Sequence, residues 1–147
     1  RRTAAGLDAA AVAAAAVRRR AKIGIYVLLD TLTYLQRGGR IGRAQAMLGS
    51  LLSVKPVLTV DHGEVAPVAR VRSRRQGLDI VMQHLRRRLP LRGLAAFHMG
   101  APELLPELRA MLAPLVNGLD IVEGQVGPVV GVYAGPGGAG IACLGDD

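Results

Sequence analysis

Few residues in this chain have the types and spacing that chemistry requires. The stretch GPGGAG places Gly135, Gly137 and Gly140 at the G-x-G-x-x-G spacing of a dinucleotide site. That chemistry needs the glycines to open a helix whose amides hold a pyrophosphate, with an acid further on for the ribose. Only seven residues follow Gly140, so the dinucleotide interpretation is rejected. A P-loop fails too, because no Gly-Lys-Ser/Thr ending is present. His62, His84 and His98 are scattered, with no metal-ligand partner at helical or strand spacing, and zinc needs three or four convergent donors. Ser50, Ser53 and Ser73 read as helix or cap positions, and no G-x-S-x-G elbow occurs. Glu103 and Glu107 fall at the start of a predicted helix, where carboxylates complement the dipole. Residues 37–40, RGGR, read as a tight turn whose arginines could aim at a carboxylate or phosphate. Neither a catalytic constellation nor a metal site is therefore expected.

The bulk properties narrow the classes further. A chain of 147 residues, half of them apolar, can bury one ordinary core. With three Tyr, one Phe and no Trp, that core must be aliphatic, and a base-stacking platform for single-stranded nucleic acid is not expected. The single Cys143 can form no internal disulfide, which points to a reducing, cytoplasmic setting. No apolar run reaches the length of a membrane span. The net charge of +8 is uneven: residues 66–92 carry eight arginines against Asp79, while residues 93–147 hold six acids against Arg109. The basic half is either a set of solvated helix ends or a surface for an anionic partner, since charge specifies attraction and not its target.

The elements that would position these residues follow from pattern. The alanine-rich opening predicts a helix with a basic end, with Leu7, Ala11, Ala14 and Ala15 near helical spacing. Residues 23–30 read as a buried strand. A helical run is expected from about residue 43 to 52, then a strand opened by Pro56. DHGE at 61–64 predicts a hairpin turn, and Pro67 assigns the second strand to a sheet edge. Ser73 and Gln76 form a capping box ahead of a helix over 74–88 with a Leu78, Val81, Met82, Leu85 stripe. Beyond Pro90 come a strand at LAAFH, a helix with Pro102 or Pro106 in its first turn, a short strand at LDIVEG, and a last strand at GPVVGVYAG. The expected class is α/β (α+β), about six strands with about four helices in layers.

Three segments in order, LDTLTYLQRGGRI (29–41), LGSLLSVKPVLTVDHGEVAPVARVRSRRQGL (48–78) and VGVYAGPGGAGI (130–141), resemble the DegV family of bacterial fatty-acid-binding proteins. The family pattern runs D-T-L-x-Y-L-x-x-G-G-R-I, then L-L-x-x-K-P-I-L with a D-G turn and an R-x-R strand, then H-x-G-P-G. The resemblance implies a C-terminal lipid-binding domain over 1–147, a mainly antiparallel sheet covered by helices, lacking the family's N-terminal α/β domain, with residues 1–22 as the helix joining the two. It implies a binding protein rather than an enzyme. Its ligand would be a long-chain fatty acid, presented through its carboxylate to a fatty acid kinase, with no other cofactor. On that basis Tyr133, Gly135 and Arg40 or Arg37 are expected at the headgroup or the kinase surface, and Arg70, Arg72, Arg74 and Arg75 on a docking face. Tyr133 stands where the family has histidine; it either donates a hydrogen bond to the carboxylate or is simply a residue of the pocket wall. A basic nucleic-acid-binding or regulatory domain without lipid is the competing expectation.

Overall fold

The computed structural model describes residues 6, 8–49, 54–116 and 118–146. Along the chain run helix α1 (Ala9–Arg20), strand β1 (Ile23–Leu28), the short helix α2 (Thr33–Arg37), a 3-10 turn over Gly42–Met47, and strands β2 (Lys55–Asp61) and β3 (Glu64–Val71). Helix α3 (Arg74–Arg86), strand β4 (Leu91–Met99), helix α4 (Leu105–Leu112), strand β5 (Ile121–Gln125), helix α5 (Pro128–Ala134) and strand β6 (Gly138–Gly145) complete it. The strands form one sheet in the order β3-β2-β1-β6-β4-β5. Every neighbouring pair is antiparallel except β4 with β5. Pro67, which cannot donate to a ladder, lies on the edge strand β3 as its sequence position predicts.

Alternation along the strands sorts the side chains to two faces. Tyr26 and Leu28 of β1, Val57 of β2, Leu94 and Ala96 of β4, and Ala139, Ile141 and Cys143 of β6 meet the apolar stripes of α3 and α4. In α3 that stripe is Leu78, Val81, Met82 and Leu85; α4 contributes Leu108 and Leu112. Ser73 Oγ accepts from the Gln76 amide at 3.2 Å, and Gln76 Oε1 reaches back to the Arg72 amide, one residue earlier than a capping box would place it. Arg109 forks onto both carboxylate oxygens of Glu123 at 2.7 and 2.8 Å, tying α4 to β5 and holding the Glu123 carboxyl below its usual range. Among the described residues, the opposite face is covered only at one end, by α2, the 3-10 turn and α5, around Leu29, Leu35, Ala44, Met47, Leu58 and Met99. None of α1 is buried; its N-cap is Asp8, whose carboxylate accepts from the Ala11 amide at 2.7 Å.

Three expectations change. The run over GPVVGVYAG is not the last strand: Pro128–Ala134 is α5, and the last strand is Gly138–Gly145. Pro128 in the first turn favours the helix, and only Ala134 is buried, so the valine-rich pattern does not report a strand face. The helix expected over residues 43–52 is a 3-10 turn ending at Met47; Leu7, Ser50 and Ser53 lie outside the described residues. Both Pro102 and Pro106 open helical turns, because a 3-10 turn at Pro102–Leu104 precedes α4.

Cys143 is buried, and burial pushes its thiol pKa up, so the nucleophilic thiolate is scarce. Alkylation by iodoacetamide at pH 8 is expected to be roughly 100-fold slower in the native protein than in urea, read by intact-mass spectrometry.

Candidate functional site

The half-open sheet face is built from residues paired across strands. Val27 of β1 faces Gly140 of β6, Gly140 faces Phe97 of β4, and Phe97 faces Gly124 of β5. One row further, Ile25, Ala142, Ala95 and Val122 align in the same way. Residues directly opposite in a sheet share a face, so these rows form a surface paved by small and aliphatic residues and the Phe97 ring. A Cβ on Gly140 would lie 2.3 Å from the Phe97 ring, which shows how closely that ring covers β6. Ile25, Val27, Ala95, Phe97 and Ala142 are half-buried, and Val122 is 67% exposed. The result is a shallow apolar trough, walled at one end by the α2/α5 corner.

That corner interlocks two tyrosines over two glycines. The Tyr133 ring of α5 lies against Gly38, where a Cβ would come within 2.2 Å of it. Reciprocally, Tyr34 of α2 lies against Gly135, where a Cβ would come within 2.3 Å. Gly135 has φ +77° and ψ 170°, a conformation open in practice only to glycine. The Arg40 guanidinium stands 5.3 Å from the centroid of the Tyr133 ring, a cation–π geometry. The Tyr133 hydroxyl makes no hydrogen bond among the described residues, and Arg40 has no carboxylate partner among them. The corner therefore offers a phenol donor and a guanidinium to an anionic group at the end of an apolar trough.

The turn after α5 is fastened on both sides. The Gly137 amide donates to the Met99 carbonyl at 2.8 Å, and the Gly137 carbonyl accepts from Arg74 at 3.3 Å. Asp30, at the end of β1, is bound by Lys55 and stands 3.7 Å from Arg74. Of the expected site residues, Tyr133, Gly135 and Arg40 thus converge, and Arg37 is exposed on the last turn of α2. The four arginines of the expected docking face are differently engaged. Arg70 donates to the Ala46 carbonyl and Arg75 pairs with Asp79 at 3.3 Å, while Arg74 belongs to the turn and Arg72 is exposed beyond the end of β3.

A family model described as an uncharacterised protein, DegV family, matches residues 1–146. The chain belongs to the DegV family. A DegV domain-containing protein of Streptomyces coelicolor is 38% identical over 131 residues, 86% of this chain and 46% of that protein. Among solved structures, one described as fatty acid binding of a DegV family protein from Thermus thermophilus superposes with a TM-score of 0.82 at 27% identity, over 97% of this chain and 52% of that one. The fatty acid kinase B3 protein of Streptococcus pneumoniae, loaded with linoleic acid, gives a TM-score of 0.82 at 17% identity, over 97% of this chain and 51% of that one, a likeness of fold. This DegV chain spans about half the length of the relatives it matches.

Tyr34 and Gly38 of the DegV chain were not singled out as site residues from sequence, although residues 37–40 read as a tight turn. Their role rests on α2 meeting α5 across almost a hundred residues, which no local pattern carries. Among the described residues, no three His, Cys, Asp or Glu side chains converge as metal ligands, and no helix is long and apolar enough to cross a membrane.

Proposed function

We propose that this chain forms one wall of a fatty-acid site, with the acyl chain on the trough and its carboxylate at Tyr133 and Arg40. The observation that carries the proposal is the trough itself: two cross-strand rows of small and apolar residues ending at a phenol without a hydrogen bond and a guanidinium without a carboxylate partner among the described residues. A related chain of the same fold, 27% identical, is described as fatty-acid binding. Burying methylenes contributes about 0.8 kcal/mol each, so a long chain needs cover from both sides to be held. The proposed second side is the part of the full-length protein corresponding to the other half of its relatives, joined through α1, and the proposed setting is the cytoplasm. The protein would act as a carrier, not a catalyst. A fatty acid kinase would dock at the carboxylate end, among Arg37, Arg40 and the arginines of residues 70–75, and transfer the γ-phosphoryl group of a nucleoside triphosphate to the carboxylate oxygen, forming an acyl phosphate and releasing the nucleoside diphosphate.

Mass spectrometry of organic extracts of the full-length protein is expected to find about one fatty acid per chain. No lipid, together with tight salt-sensitive nucleic-acid binding, would overturn the proposal. Removing one hydrogen bond to a charged group costs about 1.5 kcal/mol. Tyr133→Phe is therefore expected to weaken fatty-acid binding about tenfold in a fluorescent displacement assay, with Tyr133→His restoring it. An unchanged Tyr133→Phe variant would make Tyr133 a wall residue only.

A further inference from the structure

On the other side of the sheet, where α3 ends before covering the β2–β3 hairpin, lies a pocket of about 560 Å3. Its floor is Tyr26 and Thr59, which face each other across β1 and β2; its wall is His84 and Arg88. The side chains present more donors than acceptors. Arg88 Nε donates to Tyr26 Oη at 3.0 Å, and its Nη1 reaches only the Lys22 carbonyl at 3.5 Å. Having accepted from Arg88, the phenol keeps its own O–H to donate. Neither the Thr59 hydroxyl nor the His84 ring nitrogens make a hydrogen bond among the described residues, and Arg88 forms no ion pair among them. Among the described residues the one acid lining the pocket is Asp61, which is engaged by Arg43.

We propose that this pocket binds a small phosphate-bearing molecule, its phosphoryl oxygens accepting from Arg88, His84 and the hydroxyls of Tyr26 and Thr59. A tetrahedral oxyanion suits four donors that line one pocket from β1, β2, α3 and the turn after it better than a flat carboxylate with two oxygens, and the guanidinium fork is fixed by its bond to the phenol. Burial, then the charges of Arg87 and Arg88, hold the His84 imidazole below its usual pKa, as expected for a cationic pocket; a bound phosphate would reverse that shift. The site lies on the α3 side of the sheet, so it stands independently of the acyl site.

The test is NMR of the histidine rings in the full-length protein, titrated with inorganic phosphate and with glycerol 3-phosphate at constant ionic strength. The His84 ring resonances are expected to shift saturably as ligand is added while those of His62 and His98 do not move, and bound ligand should raise the pH at which His84 titrates. Tyr26→Phe and Thr59→Val should each weaken binding about fivefold, and Arg88→Gln should abolish it. Tighter binding of the ester would identify a phosphorylated metabolite as the ligand, and equal binding would identify free phosphate; both support the site. The proposal is overturned if no saturable shift appears by about 20 mM, if chloride gives the same shift, or if Tyr26→Phe binds like the wild type.

Discussion

Gly135→Ala is expected to disrupt the α2/α5 corner and to lower fatty-acid affinity at least tenfold, while leaving the sheet folded. The backbone at φ +77° and ψ 170° costs a non-glycine residue about 1–3 kcal/mol. The added methyl would also sit 2.3 Å from the Tyr34 ring, so the ring must leave the position that supports α5. Together these should lower Tm by about 5–10 °C. The double variant Gly135→Ala/Tyr34→Ala removes the collision but not the strain, so it should recover part of the stability and little of the affinity. Wild-type affinity in Gly135→Ala would show that the turn does not set the position of Tyr133.

The second large effect lies in the core. Leu85 has no solvent exposure and projects from α3 into the layer shared with β1, β4 and β6. Leu85→Ala is expected to cost about 3–5 kcal/mol, the lost transfer energy plus a cavity that strand backbones cannot collapse into. Against a typical total of about 5–15 kcal/mol that is a large fraction. Urea unfolding should show a lower midpoint with an unchanged slope. A loss under about 1 kcal/mol would mean that α3 repacks freely on the sheet.

What could be read in advance followed local physics. The β2–β3 hairpin and the start of α3 were marked by residues whose backbone or side-chain chemistry acts within four positions: the DHGE turn, Pro67 and Ser73. The valines of α5 misled because all three, Val129, Val130 and Val132, are exposed to solvent, so their hydrophobicity is not a burial signal. Tyr133, Gly135 and Arg40 or Arg37 were named as candidates through the family motifs and not from spacing; that Arg40 stacks on the Tyr133 ring depends on α2 meeting α5. The trough was not, because Ile25, Ala142, Ala95 and Val122 align only once β6 is known to lie between β1 and β4. Strand order is a long-range property and leaves no periodic trace.

The position of β6 also bears on synthesis. Strands β1 to β3 and strands β4 to β5 are separate blocks, and among the described residues the only strand bridging them is β6, the sixth in chain order, with Ile23 pairing to Leu144. Until the ribosome releases residues 138–145, both blocks present open edges and the α3 stripe has only half its floor. Such late, distant pairing slows folding and exposes the nascent chain to aggregation. A stalled or truncated polypeptide ending before residue 138 would therefore yield two incomplete sheets rather than a slightly shortened domain.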